Sequence, residues 1–279
     1  MLLAIDIGNT NLVIGCFRDD KILFKARIAT DRTRTSDQYG VEIKNMLEAY
    51  GVDRSDIKDC IISSVVPPVF NSVRTGVVKI IGKQPMVVGP GLKTGLNIHV
   101  DVPSQVGSDR IVIAVAALAE YKAPLLLIDL GTATTIEAVE PDNVYMGGVI
   151  IPGVRVSLDA LTSRAAQLPG ISLDQPKQVI GKNTVDCMRS GMMYGTAAMI
   201  DGLVERMEEE LGHRCTLIAT GFSEKAPEAA KDQPGLRGAA DLSGLTAGDV
   251  VSDRKSNESM FGGFGSGFDI PTRVRIRKK

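Results

Sequence analysis

The sequence predicts two α/β domains, each built on a mixed sheet flanked by helices. Three observations carry this expectation. Apolar, strand-like runs alternate with helix-period segments twice along the chain. The length, 279 residues, suits two domains of ordinary size. Finally, Ile5-Asp6-Ile7-Gly8-Asn9-Thr10-Asn11-Leu12-Val13-Ile14 is echoed by Ile128-Asp129-Leu130-Gly131-Thr132-Ala133-Thr134-Thr135-Ile136-Glu137, the mark of a duplicated unit.

The elements follow in order. Residues 2–7 form a short apolar run closed by Asp6 and Gly8, and 11–17 resumes with Leu12, Val13, Ile14 and Cys16, which reads as strand, tight turn, strand. Ser36 caps a helix in which Tyr39, Ile43, Met46, Leu47 and Tyr50 recur at helical spacing, and Gly51 stops it. Residues 60–66 read as a buried strand. Pro67 and Pro68 open a helix that runs to about Ile81 and stops at Gly82. A short strand at 85–88 precedes a loop punctuated by Gly and Pro through Pro103. In 109–121, Ile111, Val112, Val115, Leu118 and Ala119 suit a helix packed on a sheet. Three strands follow in quick succession at 125–129, 134–139 and 144–151. Helices near 154–167 and 185–211 come next, the second stopped by Gly212, and 215–220 is the last clear strand.

Composition narrows the partners. With 44% apolar and 23% charged residues the chain is globular. A net charge of -1 removes any bulk electrostatic drive towards nucleic acid or an anionic membrane. Aromatic residues make up 4% and Trp is missing, so stacking platforms for bases are few. No uninterrupted apolar run reaches the ~18 residues of a membrane span, and Asp6 arrives before a signal-peptide core can form. Cys16, Cys60, Cys187 and Cys215 are too dispersed for a short metal-binding spacing, and two histidines leave little material for zinc. The expectation is a cytoplasmic protein with reduced, buried thiols that binds neither nucleic acid nor membrane.

Each copy of the echoed segment suits polyphosphate. Gly8 or Gly131 lets the chain turn tightly, backbone N–H groups in the turn face an anion, and Thr or Asn side chains add donors. The carboxylate at the strand end holds a cation or its water. A single such turn also serves an ordinary hairpin with an Asx cap, but that role does not require the same polar set twice.

Four motifs, Asp6-Ile7-Gly8-Asn9-Thr10-Asn11, Gly107-Ser108-Asp109-Arg110, Asp129-Leu130-Gly131-Thr132-Ala133-Thr134-Thr135 and Gly147-Gly148-Val149-Ile150-Ile151-Pro152-Gly153, resemble in order and spacing those of the type III pantothenate kinases. These belong to the acetate and sugar kinase, Hsp70 and actin superfamily, and the resemblance covers about residues 1–221. It implies two ribonuclease H-like (actin-like ATPase) domains, 1–112 and 113–221, with the active site in the cleft between them. It also implies phosphorylation of pantothenate to 4'-phosphopantothenate by ATP, the first step towards coenzyme A. A non-catalytic nucleotide-binding or regulatory member of the same superfamily is the alternative.

By the same resemblance, Asp6, Ile7, Gly8, Asn9, Thr10, Asn11, Leu12 and Val13 bind the ATP phosphates, with Asp6 near Mg²⁺, and Thr132 completes the grip. Asp129 helps to hold a monovalent cation, K⁺ or NH₄⁺. Gly147, Gly148, Pro152 and Gly153 line the adenosine end, although a bulged strand followed by a helix start explains the same glycines. Gly107, Ser108, Asp109 and Arg110 match the pantothenate motif, with Asp109 as general base and Arg110 pairing with the substrate. A carboxylate of modest basicity suffices there, because phosphoryl transfer asks mainly for alignment and charge neutralisation. Ser108 or Asp109 also reads as a helix N-cap. Thr184 matches a threonine that reaches the pantothenate pocket from the neighbouring subunit, implying a homodimer, and it too reads as an N-cap.

The chain departs from the family pattern in three places. Ser108 stands where Ala is commoner, and Val100 stands where many members carry a tyrosine against the substrate. His99 beside it reads as a solvated loop residue. After Gly221 the family's next elements are not matched. Residues 222–279 are turn-rich and end in a basic run, an atypical segment that reads as a disordered tail or as the product of a frame change.

Overall fold

The computed structural model describes residues 1–19, 21–221 and 251–252. The atypical C-terminal segment, 222–279, therefore lies outside the described residues except for 251–252. The chain divides into two compact units.

Unit one comprises Met1–Leu96 with Val100–Ala119. Its strands are β1 (Leu2–Ile7), β2 (Asn11–Arg18), β3 (Lys21–Ala29), β4 (Asp59–Ser64) and β5 (Met86–Val87), and its helices are α1 (Ser36–Ala49), α2 (Pro67–Ile81) and α3 (Ser108–Glu120). The sheet runs β3-β2-β1-β4-β5, antiparallel across the first three strands and parallel across the last three. Alternation along β1 buries Leu3, Ile5 and Ile7 and turns Asp6 to the opposite face at the strand's end. Leu12 and Ile14 of β2, Ile43 and Leu47 of α1, and Val69, Val73 and Val77 of α2 complete that core.

The sequence analysis assigns no element to 21–29, yet these residues form β3. Phe24, Ala26 and Ile28 are buried alternately while Lys25 and Arg27 point outward. Charged residues on an edge strand blunt unwanted pairing, which is why its apolar signal is weak. The cap of α1 is Thr35 rather than Ser36. Its hydroxyl accepts from Gln38 N at 3.3 Å and its N–H donates to Gln38 Oε1 at 2.8 Å, a reciprocal capping box.

Unit two comprises Asn97–His99 and the described residues from Glu120 onward. Its strands are β6 (Asn97–Ile98), β7 (Leu125–Leu130), β8 (Ala133–Glu140), β9 (Val144–Pro152), β10 (Thr216–Gly221) and β11 (Val251–Ser252), and its helices are α4 (Val154–Arg164) and α5 (Thr184–Leu211). The order is β11-β10-β7-β8-β9-β6. Within it, β9-β8-β7-β10 repeats β3-β2-β1-β4 in both order and direction. Two mixed α/β sheets of the expected class are therefore present. Leu126 and Ile128 of β7 pack with Ala197, Ile200 and Val204 of α5. Among the described residues no helix is long and apolar enough to cross a membrane.

Three sequence expectations shift. A boundary at 112/113 falls inside the continuous helix α3, which clusters with unit one as far as Ala119. The echo holds through the glycine and then slips. Residues 8–11 lie between the paired Ile7 and Leu12, but only 131–133 lie between Leu130 and Thr134. Ile14, opposite Ile5, thus corresponds to Ile136, opposite Ile128, and not to Glu137. The shorter turn keeps an isoleucine on each core face, where a one-residue shift would reverse every side chain. Lastly, Cys16, Cys60 and Cys215 are buried but Cys187 is exposed on α5, its thiol donating to Gly181 O. Burial pushes the Cys60 thiol up to about 11.

Candidate active site

The parallel register of β1 and β4 sets Ser63 beside Asp6, and the Ser63 hydroxyl hydrogen-bonds the Asp6 carboxyl. Ser63 Oγ also lies 3.1 Å from Ser108 Oγ. Ser108 Oγ in turn accepts from Ser64 N at 3.1 Å and donates to Ser64 O at 3.0 Å. Ser108 is therefore the first residue of α3 and not its cap. It is buried, and its hydroxyl fastens the helix start to the end of β4. Asp109 follows, Oδ1 accepting from Arg110 N at 2.8 Å. A Cβ on Gly107 would come within 2.4 Å of that same oxygen, so the glycine leaves the carboxylate its place.

Asp6 is solvent-accessible, yet crowding by the surrounding protein raises its carboxyl above the usual 3.8. The Ser63 hydrogen bond works against this shift, and the Asp109 charge adds to it. A raised folded-state pKa means that the folded chain holds its proton more tightly than the unfolded one, so stability falls as pH rises from 3.8 through the folded value. Asp6→Asn should accordingly melt higher than the parent at pH 7 without ligand, with the gap closing towards pH 4. Thermal melts across that range read the effect, and a parent as heat-stable as the variant at pH 7 would refute it.

The turn after β1 is braced from β3. Gly8 N donates to Asn11 O at 3.0 Å, Thr30 Oγ1 donates to Gly8 O at 2.7 Å, and Thr30 N donates to Thr10 O at 2.9 Å. Asn9 and Thr10 are exposed, whereas Ile7 and Leu12 are buried in the core and have only backbone to offer a ligand. Thr30→Val removes one brace and should cost about 1 kcal/mol of stability. Chemical denaturation of the variant should show the loss, and a midpoint equal to the parent's would refute the brace.

In unit two, Asp129 is half-buried at the end of β7, and register places Thr220 of β10 beside it as Ser63 stands beside Asp6. Gly131 N donates to Ala133 O at 3.0 Å, and Thr132 is exposed. Gly153 N donates to Thr132 O at 3.0 Å, and a Cβ on Gly153 would lie 2.2 Å from Gly131 O. Pro152 pairs with Ala133. Asp129, Thr132, Pro152 and Gly153 are thus gathered at one turn. Gly147 and Gly148 are not part of it: Gly148 is five residues back along the strand from Gly153, roughly 16 Å. Gly147 sits at φ 102° where the β8–β9 register shifts, and Gly148 packs on Glu137.

Thr184 opens α5, and the cap is Asn183, whose Oδ1 accepts from Asp186 N at 2.9 Å. Thr184 is exposed on the wall of a cleft of ≈ 610 Å³ with Leu161, Met188 and Met192. Arg110 and Val100 are half-buried, and His99 is exposed as expected, its N–H donating to Tyr145 O. Sequence reasoning missed Ser63, Thr30 and Thr220. Each acts on a residue distant in sequence, which only register or a cross-strand hydrogen bond reveals.

The sequence profile of the family described as type III pantothenate kinase matches residues 2–206. A type III pantothenate kinase of Bacillus cytotoxicus is 47% identical over 221 residues, which cover 79% of this chain and 84% of that one. One from Exiguobacterium sibiricum is 48% identical over 221 residues, covering 79% and 87%. Among solved structures, the ROK hexokinase from Thermus thermophilus is similar with a TM-score of 0.44 and 11% identity, over 79% of this chain and 81% of that one.

Proposed function

Because the chain belongs to the type III pantothenate kinase family, we propose that it phosphorylates pantothenate with ATP to give 4'-phosphopantothenate, the first step of coenzyme A biosynthesis. Beyond family membership, one observation supports the reading most. The Ser63 and Ser108 hydroxyls tie the strand of Asp6 to the helix of Asp109, and the two carboxylates feel each other's charge.

In the mechanism we infer, Asp109 takes the proton of the substrate's primary hydroxyl. That oxygen forms its bond to the γ-phosphorus while the bond to the β-phosphate oxygen breaks and ADP leaves. Arg110 pairs with the substrate carboxylate. Since the Gly8 N–H is taken by Asn11 O, backbone N–H groups at Asn9 and Thr10 are the candidates to hold phosphate oxygens, and Thr132 is the corresponding candidate of unit two. Mg²⁺, which would neutralise phosphate charge when bound, fits Asp6: burial is the main cause of its raised carboxyl and the Asp109 charge adds to it, and a cation would offset both. Asp129, with Thr220 in register beside it, is the corresponding candidate for K⁺ or NH₄⁺. Thr184 is proposed to serve a neighbouring subunit's pocket in a homodimer. Its exposure at a cleft beside the exposed Ile180 is what supports this. The reaction is proposed to take place in the cytoplasm, a reading that membership of this biosynthetic enzyme family supports.

Purified chain with ATP, Mg²⁺, K⁺ and pantothenate should release ADP only when pantothenate is present. Activity should fall when Na⁺ replaces K⁺, and sedimentation should give a dimer. Nucleotide binding without pantothenate-dependent release would instead support a regulatory, non-catalytic protein. A monomer in sedimentation would remove Thr184 from the site.

A further inference from the structure

We propose that Glu140, His213 and Cys215 form a binding site for Zn²⁺, a metal clip joining the end of β8 to the turn that enters β10. One ligand atom from each residue lies within 4.8 Å of the others. His213 Nε2 is 3.1 Å from Glu140 Oε2, and its other ring nitrogen, Nδ1, is 3.9 Å from Cys215 Sγ; the imidazole supplies one of the two to the ion. A carboxylate oxygen, an imidazole nitrogen and a thiol on this scale are the donor set of a zinc ion rather than of Mg²⁺ or Ca²⁺, which take oxygen ligands.

A second observation is independent of that spacing. Glu140 Oε1 is buried and has no hydrogen-bond partner among the described residues. An orphaned carboxylate oxygen is costly in a folded protein, and a bound cation is one of the few groups that satisfies it. The turn itself is held from behind: Glu208 accepts from Cys215 N at 2.9 Å and pairs with Arg214 at 2.8 Å, which fixes the position of the thiol. Two carboxylates, Glu140 and Glu208, therefore stand at this turn, a concentration of negative charge that favours a positive ion. His213 is exposed, which leaves a coordination position open to water. The four cysteines are dispersed in sequence, so no short spacing announces the site. Folding brings Glu140 to a His-x-Cys pair 73 residues away.

The full chain, stripped with chelator and titrated with Zn²⁺ against a chromophoric competitor, should take up one equivalent that millimolar Mg²⁺ does not displace. Co²⁺ in its place should give the near-ultraviolet thiolate-to-metal band. Cys215→Ser should abolish that band, and Cys187→Ser should keep it. His213→Ala, at an exposed position, should weaken Zn²⁺ binding by at least about 100-fold, the upper end of what loss of an outer partner costs. Should Cys215→Ser fail to fold, His213→Ala decides. Absence of stoichiometric uptake, a cobalt band that survives Cys215→Ser, or undiminished binding by His213→Ala would overturn the site.

Discussion

Replacing Asp109 by Asn is expected to lower kcat by about 10³-fold, within the range that a positioned general base contributes. The fold should be unaffected. Asn keeps the size of the side chain and an oxygen that can accept from Arg110 N, and the helix start is held by Ser108 rather than by Asp109. ADP release measured with saturating pantothenate should therefore collapse while the melting temperature stays within a degree or so of the parent, since substitutions outside packed or paired sites cost about 0.5 kcal/mol or less. Turnover within threefold of the parent would remove Asp109 from the role of base. A lowered melting temperature would assign the loss to folding instead.

Gly148→Ala should have the largest effect on stability. A Cβ there would lie 2.0 Å from Ile136 O and 2.9 Å from Glu137 Cα, both backbone atoms of the neighbouring strand β8. No rotamer change relieves such a clash, so β8 and β9 must separate locally. Beneath them the buried Glu137 carboxylate accepts from the Tyr145 hydroxyl, and parting the strands disturbs that pair as well. The expected loss is about 3 kcal/mol or more, the upper range for overpacking. Chemical denaturation of the variant checks it, and a midpoint equal to the parent's would show that the strands yield easily. The prediction also bears on adenosine binding. A weakened nucleotide affinity in this variant would follow from disrupted pairing alone, so it would not by itself place Gly148 against the base.

Much of the fold was legible because apolar periodicity and stop residues coincide. The helices bounded by Gly51, Gly82 and Gly212, and the three strands from Leu125 to Pro152, lie close to where their patterns place them. β3 was missed because its outward face alternates lysine and arginine with the core residues, and β6 and β11 are only two residues long. At the site, the carboxylates, glycines and Thr132 stand out as local signatures. Ser63, Thr30 and Thr220 do not, since each is an ordinary hydroxyl until register or a cross-strand hydrogen bond sets it beside Asp6, Gly8 or Asp129. The caps were displaced by one residue at Thr35 and Asn183 because a neighbouring hydroxyl offers the same signal.

The unequal turns of the two units limit how far they can be interchanged. A graft of 8–11 from the first unit into the second would insert one residue ahead of β8. If the strand absorbed the extra residue by sliding, Ile136 and Ala138 would leave the apolar interior and Glu137 would replace them there. Each turn is thus matched to the register of its own pair of strands. An exchange confined to the strands up to the glycine should keep the pairing in register, and one that includes the turn should not.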